Sequence, residues 1–183
     1  EVMNLYRACK KEGAPRKEFL RRCADIPGMY VPAFYSVSYH DDGTIRAVTP
    51  LDGVPAAVQK RIIHDLDTVF YPETFVVPYL DVVHDRAVQE IFRGCIRGCR
   101  FCQAGFIYRP VRSKSADVVN RQARSLCDTT GYDEVSLCSL STSDYKELSR
   151  LLEQMLEWTD GDHVNISLPS LRIDNFPEEL LKK

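Results

Sequence analysis

Apolar positions at the start of the chain recur every three or four residues. Val2, Leu5, Tyr6 and Cys9 share one helical face, and Gly13 ends the run. Pro15 opens a second helix carrying Phe19, Leu20 and Cys23, which Ile26-Pro27-Gly28 stops. The period then changes. FYSVSY and TIRAV flank His40-Asp41-Asp42-Gly43, and an Asp-Gly pair between alternating runs predicts a β-hairpin. Helical spacing returns over residues 55–66 through Val58, Ile62 and Leu66, predicting a third helix. Pro72 and Pro78 then punctuate an extended run that reads as a linker packed on something else.

From Ala87 the pattern becomes a regular alternation. AVQEIF predicts a strand, and a long loop covers residues 93–114. Ser115 and Asp117 start a helix carrying Val119, Ala123 and Leu126 that stops near Gly131, and EVSLCSL predicts a buried second strand. Ser143 and Asp144 start the next helix, whose Leu148, Leu151, Leu152, Met155 and Leu156 form one apolar face and which Gly161 closes. HVNISL predicts a third strand, and Pro177 opens a last helix. Strands alternating with helices imply right-handed crossovers and a parallel sheet. Three loops, 93–114, 139–144 and 169–175, should therefore share the face at the carboxyl ends of the strands, where the active sites of such folds collect. The grammar divides the chain into a small α+β accessory region over 1–85 and an α/β region over 86–183.

Composition narrows the function classes. With 44% apolar and 27% charged residues over 183, the chain can build a core without disulfide staples. Lys+Arg of 24 against Asp+Glu of 26 argues against a whole-domain electrostatic grip on nucleic acid or an anionic membrane. The most apolar stretch, FVVPYLDVVHDR, is broken by Pro78, Asp81, His84 and Asp85, so no membrane association is expected. The segment beginning at Glu1 lacks the apolar centre of a signal peptide and reads as a cut in a longer protein. Seven cysteines, three of them within eight positions, fit metal or redox chemistry in a reducing compartment, and the expected address is cytoplasmic. No phosphate-binding Gly-rich loop, HExxH zinc motif or GxSxG elbow occurs.

The three crowded cysteines are Cys95, Cys99 and Cys102, spaced C-x-x-x-C-x-x-C just after the first predicted strand. Thiolates from so short a loop can hold a cubane iron-sulfur cluster, which normally takes four cysteines, so that one iron stays open. Gly94 and Gly98 suit a backbone that wraps closely around an inorganic core. A structural zinc site is the alternative; it is tetrahedral and would need a fourth ligand from Cys127, Cys138 or His163. Three unrelated core cysteines are a further alternative, disfavoured by the surrounding glycines and arginines. Cys9, Cys23 and Cys138, on apolar faces or in a strand, read as small core hydrophobes.

At these residues the sequence resembles the radical SAM superfamily, whose signature is C-x-x-x-C-x-aromatic-C, here with Phe101 before Cys102. The flanking EIFRGCIRGCRFCQAGFIYRPVRSKS, with the later SLSTSDY and SLPSLRID, resembles one branch of it: large bacterial proteins with an amino-terminal cobalamin-binding-like domain. The resemblance implies a partial (βα) barrel of six units, of which this chain supplies the first three. It implies that Cys95, Cys99 and Cys102 hold a 4Fe-4S cluster whose fourth iron chelates S-adenosylmethionine. Reductive cleavage would then give a 5'-deoxyadenosyl radical that acts on an unknown substrate, with cobalamin a candidate cofactor of the full-length protein. Phe101 would pack near the adenine or cap the cluster.

After the second strand, members of the superfamily carry a Gly-Gly-Glu-like segment that bonds the methionine ammonium. Here Ser139-Leu140-Ser141-Thr142-Ser143-Asp144 takes its place, and Ser141, Thr142 and Ser143 become cofactor-binding candidates. Ser143 and Asp144 could instead only start the following helix. Ser167, Ser170 and Arg172 are weaker candidates from the third loop. Arg93, Arg97, Arg100, Arg109, Arg112 and Lys114 fall between Ile91 and Ala116 with no acidic residue among them. They offset an anionic cluster and could also steer an acidic electron donor such as a flavodoxin or ferredoxin. With Phe101, Phe106 and Tyr108 as its only aromatics, the loop is a poor stacking platform, and nucleic acid is not the favoured partner. A non-catalytic iron-sulfur or zinc module remains the competing function, and the isolated half-barrel is expected to be weakly active or inactive.

Overall fold

Helix α1, Val2–Glu12, ends where Gly13 takes a left-handed φ of 70° and turns its N–H back on Cys9 and Lys10, with Lys10 and Lys11 complementing the helix dipole. Pro15, extended at φ −68°, then feeds α2, Arg16–Cys23. The two helices lie in a first compact unit, Glu1–Ile63. Cys23, Ala24, Val31, Phe34 and Val54 form its core, with Val2, Leu5, Phe19 and Leu20 packed against them. The hairpin follows as the Asp-Gly signal predicts: β1, Tyr35–Tyr39, pairs antiparallel with β2, Ile45–Pro50. Both strands are largely exposed, so the ribbon stands on its ladder bonds and its base.

The computed structural model describes residues 1–175, and its second compact unit begins at His64. A three-stranded parallel sheet in the order β3-β6-β7 organises that unit. β3 is Ala87–Glu90, β6 is Glu134–Cys138 and β7 is Asn165–Ser167. Between β3 and β6 run a two-residue antiparallel ladder of β4 (Phe92–Arg93) with β5 (Arg112–Ser113), the short α3 (Ala104–Ile107), and α4 (Ala116–Thr130). Ser115 accepts the Val118 N–H at 3.4 Å and caps α4, and Gly131 ends it. α5, Leu148–Asp162, connects β6 to β7. The core gathers Ile91, Val119, Leu126, Val135, Leu137, Leu151 and Met155, the sheet being packed by the apolar faces of both helices. The architecture is mixed α/β with a parallel sheet, as the alternation predicts.

Four expectations are corrected. Residues 55–66 form no helix: Val58 belongs to the first unit and the fully buried Leu66 to the second, so the spaced apolar residues have no common surface to cover. The second compact unit takes in the stretch after Ile63. Asp67 accepts the Ser115 N–H at 2.8 Å, Tyr71 donates to Gln89 at 2.6 Å, and the Glu73 carbonyl accepts the Ser125 and Thr129 hydroxyls, so this stretch is bonded into the second unit. α5 starts at Leu148 rather than at Ser143 and Asp144, because the Asp144 carboxylate is taken by Arg97. It also runs through Gly161 to His163, whose φ of 56° ends it, the buried Trp158 and Thr159 anchoring its last turn. Cys138 is exposed, since as the last residue of β6 it emerges beyond the core that covers Val135 and Leu137. The helix expected to open at Pro177 lies outside the described residues.

Candidate functional site

β3 delivers the chain to the carboxyl end of the sheet, and the β4–β5 ladder pins both ends of the excursion that follows. Within it, Gly94 sits at φ 92°, and a Cβ there would come within 2.7 Å of the Tyr108 carbonyl and 3.0 Å of that of Pro110. Only glycine lets the two arms of the loop close this tightly. Cys95, Cys99 and Cys102 follow on the near arm as free, half-buried thiols. The Cys102 N–H donates to the Cys99 carbonyl at 3.1 Å, a turn that puts these two on one bend. Cys95 Sγ accepts the Arg97 N–H at 3.4 Å, and Cys99 Sγ accepts from Arg172 Nη1 at 3.9 Å. Of the buried cysteines outside the loop, burial pushes the Cys127 thiol up to about 11 and raises that of Cys23, while Cys9 Sγ accepts from Arg22 Nη1 at 3.9 Å.

The second and third strand-end loops close on the first. Arg97, between Cys95 and Cys99, forks onto Asp144, donating from Nε at 2.9 Å to one oxygen and from Nη2 to the other. Asp144, its side chain 5% exposed, also accepts the Ser141 hydroxyl and the Asn175 amide, both at 2.8 Å. Chiefly through the Arg97 hydrogen bond, its carboxyl is held down at about 2. Arg172 pairs with Asp174 at 2.9 and 2.7 Å, and its backbone N–H donates to the Ser143 hydroxyl at 3.2 Å.

The candidates from the sequence separate here. Ser141 and Thr142 are buried and their hydroxyls donate to Asp144 and to the Pro169 carbonyl, while the Ser143 hydroxyl accepts the Arg172 N–H. Phe101 is 93% exposed and packs on nothing in the described residues. Of the six loop cations, Lys114 is not at the surface. It is buried and donates to Gln122 at 2.8 Å, which also receives Gln89 at 2.9 Å, and burial lowers its pKa. Sequence reasoning missed Gln89 and Gln122. The available signal was a lone glutamine at an inward position of AVQEIF. It also missed the Arg97–Asp144 pair, which spans 47 positions.

Among the described residues no three His, Cys, Asp or Glu side chains form a site for a single metal ion. Cys127 and His163 lie at the ends of α4 and α5, by the amino ends of the strands, and so stand away from the cysteine loop. A cubane makes a different demand, one thiolate for each of three irons at separate corners. Three thiols on one turn-rich loop, with N–H and guanidinium donors to sulfur, suit that demand.

The family model of the radical SAM superfamily matches residues 90–183, more than half of the chain, and the chain belongs to that superfamily. Membership implies a 4Fe-4S cluster and S-adenosylmethionine. An uncharacterised protein of Methanocaldococcus jannaschii is 34% identical over 93 residues, covering 51% of this chain and 20% of its own length. The tRNA-2-methylthio-N(6)-dimethylallyladenosine synthase of Solibacter usitatus is 35% identical over 79 residues, 42% of this chain and 17% of its own. The threonylcarbamoyladenosine tRNA methylthiotransferase of Bacillus subtilis is 24% identical over 139 residues, 73% and 28% respectively. The matched region is less than a third of each relative. No helix among the described residues is long and apolar enough to cross a membrane.

Proposed function

We propose that the chain is the cofactor-binding part of a radical SAM enzyme, with Cys95, Cys99 and Cys102 each ligating one iron of a 4Fe-4S cluster and S-adenosylmethionine taken by the fourth. When bound, this pair supplies a low-potential electron and a sulfonium whose cleavage yields methionine and a 5'-deoxyadenosyl group. The three strands are the first three units of a partial barrel. What carries the reading is the cysteine loop itself: a closed excursion at a strand's carboxyl end, with three half-buried thiols and donors aimed at two of them.

The chain's own residues aim and shield. The Arg97–Asp144 fork ties the cysteine loop to the loop after β6, and Arg172 ties it to the loop after β7. Ser141, Thr142 and Ser143 serve as the frame of that junction. The exposed Ile96, Phe101 and Phe106 give the loop an apolar rim that excludes water once covered. Arg100, exposed on the same loop, is a contact for an acidic donor such as flavodoxin or ferredoxin. Because two relatives are named for tRNA methylthiolation, a tRNA adenosine is the first substrate class to assay. A cobalamin-binding-like domain belongs to the same proposal for the longer protein.

The test is anaerobic reconstitution, iron and sulfide analysis, then dithionite with S-adenosylmethionine and chromatography for 5'-deoxyadenosine. Four irons per chain and, from this half-barrel alone, at most a low yield of 5'-deoxyadenosine are expected, both lost in Cys95→Ala, Cys99→Ala and Cys102→Ala. A colourless, zinc-loaded protein would replace the proposal with the structural-module reading.

A further inference from the structure

We infer that Arg172 is a positioning residue that sets how readily the cluster accepts an electron, by donating an N–H to the sulfur of Cys99; this rests on the function proposed above. Two guanidiniums and two carboxylates stand beside the cysteines, Arg97 with Asp144 and Arg172 with Asp174. Arg172 is fixed at both ends. Its backbone N–H is bonded to Ser143 at 3.2 Å, and its Nε and Nη2 are bonded to the two Asp174 oxygens at 2.9 and 2.7 Å. A guanidinium is a rigid planar fork, so occupying one edge fixes where the remaining nitrogen goes. That nitrogen, Nη1, stands 3.9 Å from Cys99 Sγ.

The cysteines are thereby made unequal. Cys95 Sγ receives a neutral backbone N–H at 3.4 Å, whereas Cys99 Sγ receives a cationic donor. Charge-assisted hydrogen bonds are about twice as strong as neutral ones. A reduced cluster carries one more negative charge than the oxidised cluster, shared with its thiolates. A donor held against one thiolate stabilises the reduced form more, and the potential rises. The electron comes from the external reductant, and no bond is made or broken at Arg172. Asp174 offsets much of the net charge, leaving the directed N–H as the larger influence.

The experiment is a redox titration of the reconstituted cluster, followed by low-temperature EPR, in wild type, Arg172→Gln, Arg172→Lys and the control Arg124→Gln, exposed on α4. At a fixed potential Arg172→Gln is expected to lower the reduced-to-oxidised ratio by about threefold to tenfold, tenfold being about 59 mV for one electron. Arg172→Lys, which keeps the charge and loses the fork, falls between, and Arg124→Gln stays at wild type. Arg172→Gln with full iron content and an unchanged midpoint overturns the inference and leaves the proposed function standing. An equal shift in Arg124→Gln overturns it too, by reducing the effect to general charge. If Arg172→Gln takes up no iron, Arg172→Lys decides: a wild-type midpoint there, or no iron there either, also rejects the role. Wild type without iron sinks the proposed function instead.

Discussion

The two compact units bury different chemistry. In the first, every buried side chain among the described residues is apolar, from Cys9 and Cys23 to Phe34 and Val54. In the second, Gln89, Lys114, Gln122, Ser141 and Thr142 are buried alongside the aliphatic core. An unpaired buried polar group costs about 1–3 kcal/mol, so such residues persist only where partners meet them. Here they do: Gln89 receives Tyr71 and donates to Gln122, and Thr142 donates to the Pro169 carbonyl. These bonds hold the linker of residues 64–86, the cysteine loop and the two later strand-end loops to one sheet. Polar burial marks the part of the molecule that must keep several loops in register, and its absence marks the part that need only pack.

The contrast can be broken at its largest energy first. Leu151→Ala, at a fully buried position of α5, costs about 2–5 kcal/mol of unfolding free energy, read by urea melts of Trp158 fluorescence. Gln89→Leu tests polar burial directly. It leaves the Tyr71 hydroxyl without its acceptor and should cost about 1–3 kcal/mol despite adding apolar surface. A gain in stability from that change would make the buried network dispensable.

Acid acts on the same loops through Asp144. Its carboxyl titrates at about 2 in the folded protein against an ordinary 3.8, so between these values the unfolded chain binds more protons than the native one. The stabilisation, about 2 kcal/mol, is whole above pH 4 and drains as pH falls through 2. Asp144→Asn should flatten that part of the stability profile, measured by melts across pH; an unchanged profile would remove Asp144 from the clamp. The smallest effect belongs to the first unit. Tyr39→Ala on the exposed β1 should change stability by less than about 0.5 kcal/mol.

What was legible in the sequence was local. Gly13, Pro15, Ser115 and Gly131 set helix ends through backbone conformation and caps, and Asp42-Gly43 set the hairpin. The strand-helix alternation gave the parallel sheet, and the cysteine spacing marked a loop that leaves the carboxyl end of β3. What was not legible depends on partners distant in the chain. Asp144 looked like a helix start because the guanidinium that claims it lies 47 residues earlier. Val58, Ile62 and Leu66 had helical spacing without a shared surface. Lys114 looked like one more loop cation, yet the strand before it and the helix after it fold over its stem and leave it with Gln122 and the Tyr71 ring.

The most direct measurement is the low-temperature EPR spectrum of the anaerobically reconstituted, dithionite-reduced chain before and after S-adenosylmethionine is added. A 4Fe-4S signal that shifts on addition, and vanishes when Cys95, Cys99 and Cys102 become alanine but survives Cys9→Ala and Cys127→Ala, is the predicted result. A signal indifferent to S-adenosylmethionine, or one that outlasts loss of the three loop cysteines, would contradict the assignment of the site.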